Sequence, residues 1–399
     1  MSESGLAGSK ALVAVLTLAC SSIAFAQWSS PRLIANGVGV SVSTNGAGGG
    51  AVLFGGLSAA VETGGVWGAP VALSSLGPYG TGTGSIAVAP NGDVLAAWSF
   101  RATNTYIPNT AQAAFFTGGH WGKTITISNN VYGNVYSVGP PSIGFDGQSR
   151  ATLVWEEITN PSPVTCALKA VTGTAASGFG APQTISNAGT CFGWTRMAVN
   201  QFGQAVVMEG VPGILSGAVI GISRETNGTW DAPVTVGQAG VYRQRQPKVG
   251  LGNDGTAVVV FLVNGSARYS VKSNGAWSAP AVLPGLAGTA GGAADVAVDG
   301  SGNAVALFQQ VVIAPGTFAI YRPVGGSWQT KVQIGSAPQV VATPAGTFVA
   351  GGTTVSTRLA GNSTWSAHTF PDVSLVSAAA GQALALVGPQ VSVSTEAVP

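Results

Sequence analysis

"TNGTWDAPV" fills residues 226–234 and "SNGAWSAPA" fills 273–281, nearly the same nine letters 47 positions apart. A phrase written twice marks a repeat, and a repeat period constrains architecture before any single residue does. Its kernel is Asn-Gly-x-Trp. Asn-Gly supplies the positive φ angles of a two-residue hairpin turn whose twist matches its strands, so each copy reads as the tip of a β-hairpin. Looser copies run through the chain, each opened by an aromatic residue: Trp28, Trp67, Trp121, Phe179, Trp230, Trp277, Trp328 and Trp365. Five continue as aromatic-x-x-Pro, at Pro31, Pro70, Pro182, Pro233 and Pro280.

A second landmark interleaves with the first. Glycine turns at Gly46, Gly92, Gly147, Gly203, Gly255, Gly302, Gly346 and Gly381 each separate two apolar runs, as in "IAVAPNGDVLAAW" and "KVGLGNDGTAVVVF". Their mean spacing is about 48 residues, the length of one four-stranded propeller blade. The runs alternate with period two and are rich in Val, Ala, Ile and Thr, which predicts strands. Within a unit, strand A precedes the glycine turn, strand B follows it, and strand C leads through the Asn-Gly hairpin into strand D. The aromatic residue of strand D is expected to pack between neighbouring sheets. The chain opens on a D-type segment, "WSSPRLI", and closes on a C-type segment, "PQVSVSTEA". Residues 28–34 are therefore expected to complete the sheet begun by 372–397. The fold expected is all-β, an eight-bladed β-propeller closed by its N-terminal strand; seven blades with one degenerate unit outside the ring is the alternative.

Residues 11–19 form a short apolar run after Lys10, followed by the small-residue stretch Ala24-Phe25-Ala26. This predicts a signal peptide over 1–26 and one propeller domain over 27–399. The chain is then expected to be secreted, periplasmic or extracellular, after cleavage near Ala26; a lipoprotein reading would instead keep Cys20. In an oxidising compartment Cys166 and Cys191 suggest one disulfide, two free thiols being the alternative. Charged residues make up 8% of the chain, and the net charge is +2. Such a balance gives no electrostatic case for nucleic acid. No membrane insertion is expected, and the molecule reads as a monomer.

These residues resemble the secreted β-propellers built from sialidase-type Asp-box repeats, where a Ser-x-Asp-x-Gly-x-Thr-Trp turn joins strands C and D. "SRETNGTW" (223–230) and "SVKSNGAW" (270–277) carry the likeness, which spans about 28–397. The Asp of that motif is replaced by Glu62, Phe116, Glu225, Lys272, Pro323 and Ala360, so the repeats are degenerate. The resemblance implies the fold and carries over no catalytic residue.

Propellers of that kind take ligands on the end bearing the D–A and B–C loops. Here those loops are long in the first half of the ring and hold Arg101, Tyr106, Tyr136, Trp194, Arg196, Tyr242, Arg243 and Arg245, with Glu156 on the same rim. Aromatic and Arg side chains together suit sugar rings and anionic groups. The expected function is a non-enzymatic binding or scaffold propeller for a glycan or cell-envelope component. A sialidase-like glycoside hydrolase is the alternative. Glu156, Glu157, Glu209, Asp295 and Asp372 are the carboxylates on that end, but Glu156 and Glu157 point to opposite sides of one strand. Asp93, Asp146, Asp254 and Asp299 are expected to serve their turns. His120 and His368 are far apart in the repeat, so no metal site and no cofactor are expected. Trp98 and Trp155 close strand B and are read as core, with Phe54, Met208, Phe261 and Phe308 as their counterparts.

Overall fold

The computed structural model describes residues 28–35, 39–55, 57–74, 84–100, 110–129, 141–161, 164–187, 195–211, 216–240, 247–288, 290, 295–311, 315–335, 339–352, 354–369, 373–379, 382–387 and 391–396. Their strands form a β-propeller of four-stranded antiparallel blades, with the strand order A-B-C-D from the axis outward in each. Eight such sheets occur, numbered 1 to 8 from the A strands Gly39–Thr44, Gly84–Val88, Ser142–Phe145, Thr195–Val199, Lys248–Leu251, Asp295–Val298, Gln339–Ala342 and Val373–Ala379. Each A strand touches the next, and that of sheet 8 touches that of sheet 1.

The seam is sheet 8, ordered Arg32–Ala35, Val391–Glu396, Gln382–Val387, Val373–Ala379 from outside to inside. Arg32 pairs with Val393 and Leu33 with Ser392. The N-terminal segment thus completes the sheet of the C-terminal one, where the sequence placed it.

Each aromatic landmark fills one junction between adjacent sheets. Trp121 packs with Leu53, Val94 and Trp98, Phe179 with Leu153 and Trp155, and Trp328 with Val260 and Phe308. Trp28 seals the seam beside Val349 and Val387. The residue after the landmark donates its N–H to a strand C carbonyl in six sheets, for example Gly68 to Val61 (2.9 Å), Gly122 to Phe115 (2.8 Å) and Ser278 to Val271 (2.8 Å). In sheets 1, 3 and 5 the aromatic-x-x-Pro step then splits strand D in two, as at Ala276–Trp277 and Ala281–Val282. Proline has no N–H for the ladder and sits in these gaps, while sheet 2 splits likewise between His120–Trp121 and Ile125–Asn129 with no proline.

The two copies of the opening phrase fold differently at the tip. In sheet 5, Ser273 pairs with Ala276 around Asn274 (φ 50°) and Gly275 (φ 80°), the expected two-residue turn. In sheet 4 only Gly228 (φ 90°) is left-handed. There Asn227 Oδ1 accepts the Thr229 N–H (2.9 Å) and hydroxyl (2.7 Å), and the turn widens so that Glu225 N–H reaches Thr229 O (2.9 Å). The Thr hydroxyl, absent in Ala276, gives the Asn side chain a reason to bend back.

Candidate functional site

At the loop end of the ring, one position can be followed around all the A strands: the third residue before the one that pairs with the start of strand B. It is occupied in turn by Ser41, Ser85, Ser142, Arg196, Lys248, Asp295, Gln339 and Val376. Five of these side chains tie their sheet to the next. Ser41 Oγ accepts the Ile86 N–H (3.2 Å), and Ser85 and Ser142 donate to Pro141 O (2.9 Å) and Thr195 O (3.1 Å). Asp295 Oδ2 accepts the Val340 N–H (2.9 Å) and Gln339 Oε1 the Val376 N–H (3.1 Å).

Arg196 and Lys248 break this series: a cation cannot accept the neighbouring N–H, and Arg196 Nη1 donates to Thr195 O of its own strand (3.3 Å) and not to the next sheet. Both are half-buried beside Asp295. Burial pushes the Lys248 ammonium below the ordinary lysine range, Asp295 opposing and Arg196 adding to the effect. It lowers Arg196 likewise, against the pull of Asp295. Burial raises the Asp295 carboxyl, with Lys248, the Val340 and Val296 amides and Arg196 holding it down.

A second group of charges lies between sheets 3 and 4. Strand B side chains alternate between the two neighbouring sheets. Val154 and Val207 meet in the junction of sheets 3 and 4, so Glu156 and Glu209, each two residues further on, point into the same junction from opposite sides. They are 5% and 3% exposed. Ser186 Oγ donates to Glu209 Oε2 (3.1 Å). Burial, with the charge of Glu156 adding to it and the Ser186 bond opposing, lifts Glu209 to about 7. The counterparts of Glu209 in register are Phe54, Trp98, Trp155, Phe261 and Phe308, each four residues after the start of strand B pairing. This corrects the sequence reading, which put Met208 there. Met208 is core, but it faces sheet 5.

Of the residues expected on the rim, Glu156 and Arg196 are described, and they face different junctions. Arg101, Tyr106, Tyr136, Trp194, Tyr242, Arg243 and Arg245 lie outside the described residues, as does Asp372. Cys166 is disulfide-bonded; its expected partner, Cys191, also lies outside them. Lys248 and Gln339 escaped the sequence reading. The signal for both was present in the aligned A strands, where the serines of the first three sheets give way to charge and amide. Among the described residues no group of three or more His, Cys, Asp and Glu gathers.

A central cavity of about 640 Å³ lies at the opposite end of the ring, lined by Ser43, Asn45, Asp146, Asn200, Asp299 and Pro344 among others. Its aspartates are committed to turns, and Ser43 Oγ accepts the Val88 N–H of the next sheet (3.0 Å). Asp146 Oδ1 accepts the Gln148 and Arg150 N–H groups (both 2.9 Å), and Asp299 Oδ1 those of Ser301 and Asn303 (both 2.9 Å).

No family model matches this chain. No curated protein matches it either. Solved structures similar in fold include the polysaccharide lyase Uly1, at 11% identity and TM-score 0.50, covering 82% of this chain and 91% of that one. A puromycin-hydrolysing peptidase of Mycobacterium tuberculosis has 14% identity and TM-score 0.51, covering 84% of this chain and 53% of that one. A NanB sialidase of Streptococcus pneumoniae has 9% identity and TM-score 0.42, covering 67% and 64%. At such identities the likeness to the lyase and the peptidase is one of fold alone.

Proposed function

We propose that this chain is a secreted, non-enzymatic binding propeller that recognises an acidic glycan or a comparable anionic cell-envelope component at the loop end of its ring. The observation that carries the reading is the break in the inner ring. Where other sheets hold a side chain that fastens the next sheet, Arg196 and Lys248 place two cations that the ring does not need for closure. A half-buried Arg with a neighbouring ammonium suits a carboxylate or sulfate, since charge-assisted hydrogen bonds strengthen away from bulk water. Asp295 keeps the pair from repelling each other and can accept from a sugar hydroxyl. The carboxylates that hydrolysis would require, Glu156 and Glu209, are sealed between sheets, which supports binding over glycoside hydrolysis.

A glycan array carrying neutral and acidic sugars tests this. Binding to uronate-, sialate- or sulfate-bearing glycans is expected, weakened about tenfold or more in Arg196→Ala. Binding confined to neutral glycans overturns the reading. So does absence of all binding together with turnover of a fluorogenic sialoside that vanishes in Arg196→Ala.

A further inference from the structure

The junction of sheets 3 and 4 departs from its counterparts at one level. Where five other sheets insert an aromatic ring, sheet 4 inserts Glu209, and Glu156 of sheet 3 faces it. Two carboxylates withdrawn from water into one junction oppose each other and lose hydration. Acidic residues alone would not make a site; Thr195 is the second observation. It is 5% exposed and its Oγ1 has no hydrogen-bond partner. It stands directly opposite Glu209 in the ladder, on the same face of the sheet. The Ser186 hydroxyl, bonded to Glu209 Oε2, completes a set made only of oxygen.

We propose that Glu156, Glu209, Thr195 and Ser186 form a site for a hard divalent cation of the calcium class, fastening sheet 3 to sheet 4. Two carboxylates balance the charge of the ion, and the two hydroxyls give lone pairs without adding charge. Calcium tolerates irregular sets of six to eight oxygens, whereas magnesium demands near-ideal octahedral geometry and retains several waters. Both carboxylates bind the ion as anions. This departs from the sequence expectation of no metal, which considered histidines. It is independent of the anionic-ligand reading, since none of the four residues is Arg196 or Lys248.

The test uses the full chain, stripped with chelator and titrated with calcium chloride at pH 8 by calorimetry, with thermal unfolding measured in parallel. One calcium per chain and a raised Tm are expected, with magnesium at equal concentration leaving Tm unchanged. Glu209→Gln keeps the shape of the side chain and should lose both effects while its circular dichroism stays that of the natural chain. Thr195→Val, which removes only the hydroxyl, should weaken calcium about tenfold and serves if the first variant fails to fold. No heat and no rise in Tm for the natural chain overturns the proposal. Calcium binding unchanged in either folded variant, or matched by magnesium, overturns it equally.

Discussion

The two ends of the ring use most of their acidic and amide residues differently, although Glu62 and Arg224 beside C–D turns at the turn end are also buried and shifted by burial. At the turn end, Asp and Asn side chains are spent on regular A–B turns and on fastening one turn to the next, as where Asn200 Nδ2 donates to Gly252 O (3.0 Å) and Asn45 Nδ2 to Ala89 O (3.2 Å). At the loop end, Glu156 and Glu209 are buried and Arg196, Lys248 and Asp295 half-buried, and burial shifts the four whose shifts are resolved, Glu209, Arg196, Lys248 and Asp295, away from their ordinary ranges. The difference separates scaffold from site. Turn chemistry explains an acidic residue fully when backbone amides surround it. Glu209 lies in a strand, where its bond from the Ser186 hydroxyl is not turn chemistry and burial still lifts its pKa.

The contrast can be broken or sharpened by experiment, and the largest effect is expected at Glu209. Its folded-state pKa lies above the ordinary value of 4.5, at about 7, so the folded chain holds a proton the unfolded chain has released. Stability in calcium-free buffer should therefore fall as pH rises from about 4.5 to about 7, by about 3 kcal/mol from this group. Glu62 and Asp295, also raised by burial, add the same sign. Glu209→Gln should flatten the slope and be the more stable chain at pH 8 in urea unfolding. An unchanged slope would show that the loop end is no different from the turn end.

Asp299→Ala comes next. It strips three hydrogen bonds from a turn, those from Ser301 N, Asn303 N and Asn303 Nδ2. It should cost about 2 kcal/mol of stability and leave glycan binding untouched. Arg196→Ala should give the converse, a stability change within about 1 kcal/mol with lost binding. Asn274→Ala, at a left-handed position in a C–D turn, should cost about 1 kcal/mol. Smallest of all, Glu225→Gln removes a partly exposed partner of Lys272 at 3.8 Å and should change stability by less than about 0.5 kcal/mol.

The fold was legible because its grammar is local and repeated. Each aromatic landmark meets the preceding sheet, each turn glycine sits between an A and a B strand, and the complementary end segments name their own partner. The turn aspartates were legible for the same reason. The site was less so. Arg196 and Glu156 stood out as charged residues in a neutral chain, yet their separation into two junctions depends on strand parity across sheets. Glu209 was hidden by hydrophobic similarity: Met208 resembles the aromatics of other sheets. Counting six residues from Gly203, as from Gly92 to Trp98 or Gly255 to Phe261, arrives at the glutamate instead. Lys248 opens an ordinary strand and becomes conspicuous only when its sheet is laid beside those of Ser41, Ser85 and Ser142.

Because Arg32–Ala35 is hydrogen-bonded to Val391–Glu396, the outer strand of sheet 8 must wait for a partner made about 360 residues later. At 5–20 residues per second that wait is roughly 20 to 70 s, during which both seam edges stand open and Trp28 has no junction to fill. Joining residue 396 to residue 28 through a short linker and cutting a C–D hairpin instead would move the seam to a place where neighbours in time are neighbours in space. Such a permuted chain should reach its native state sooner than the original, with the same final stability.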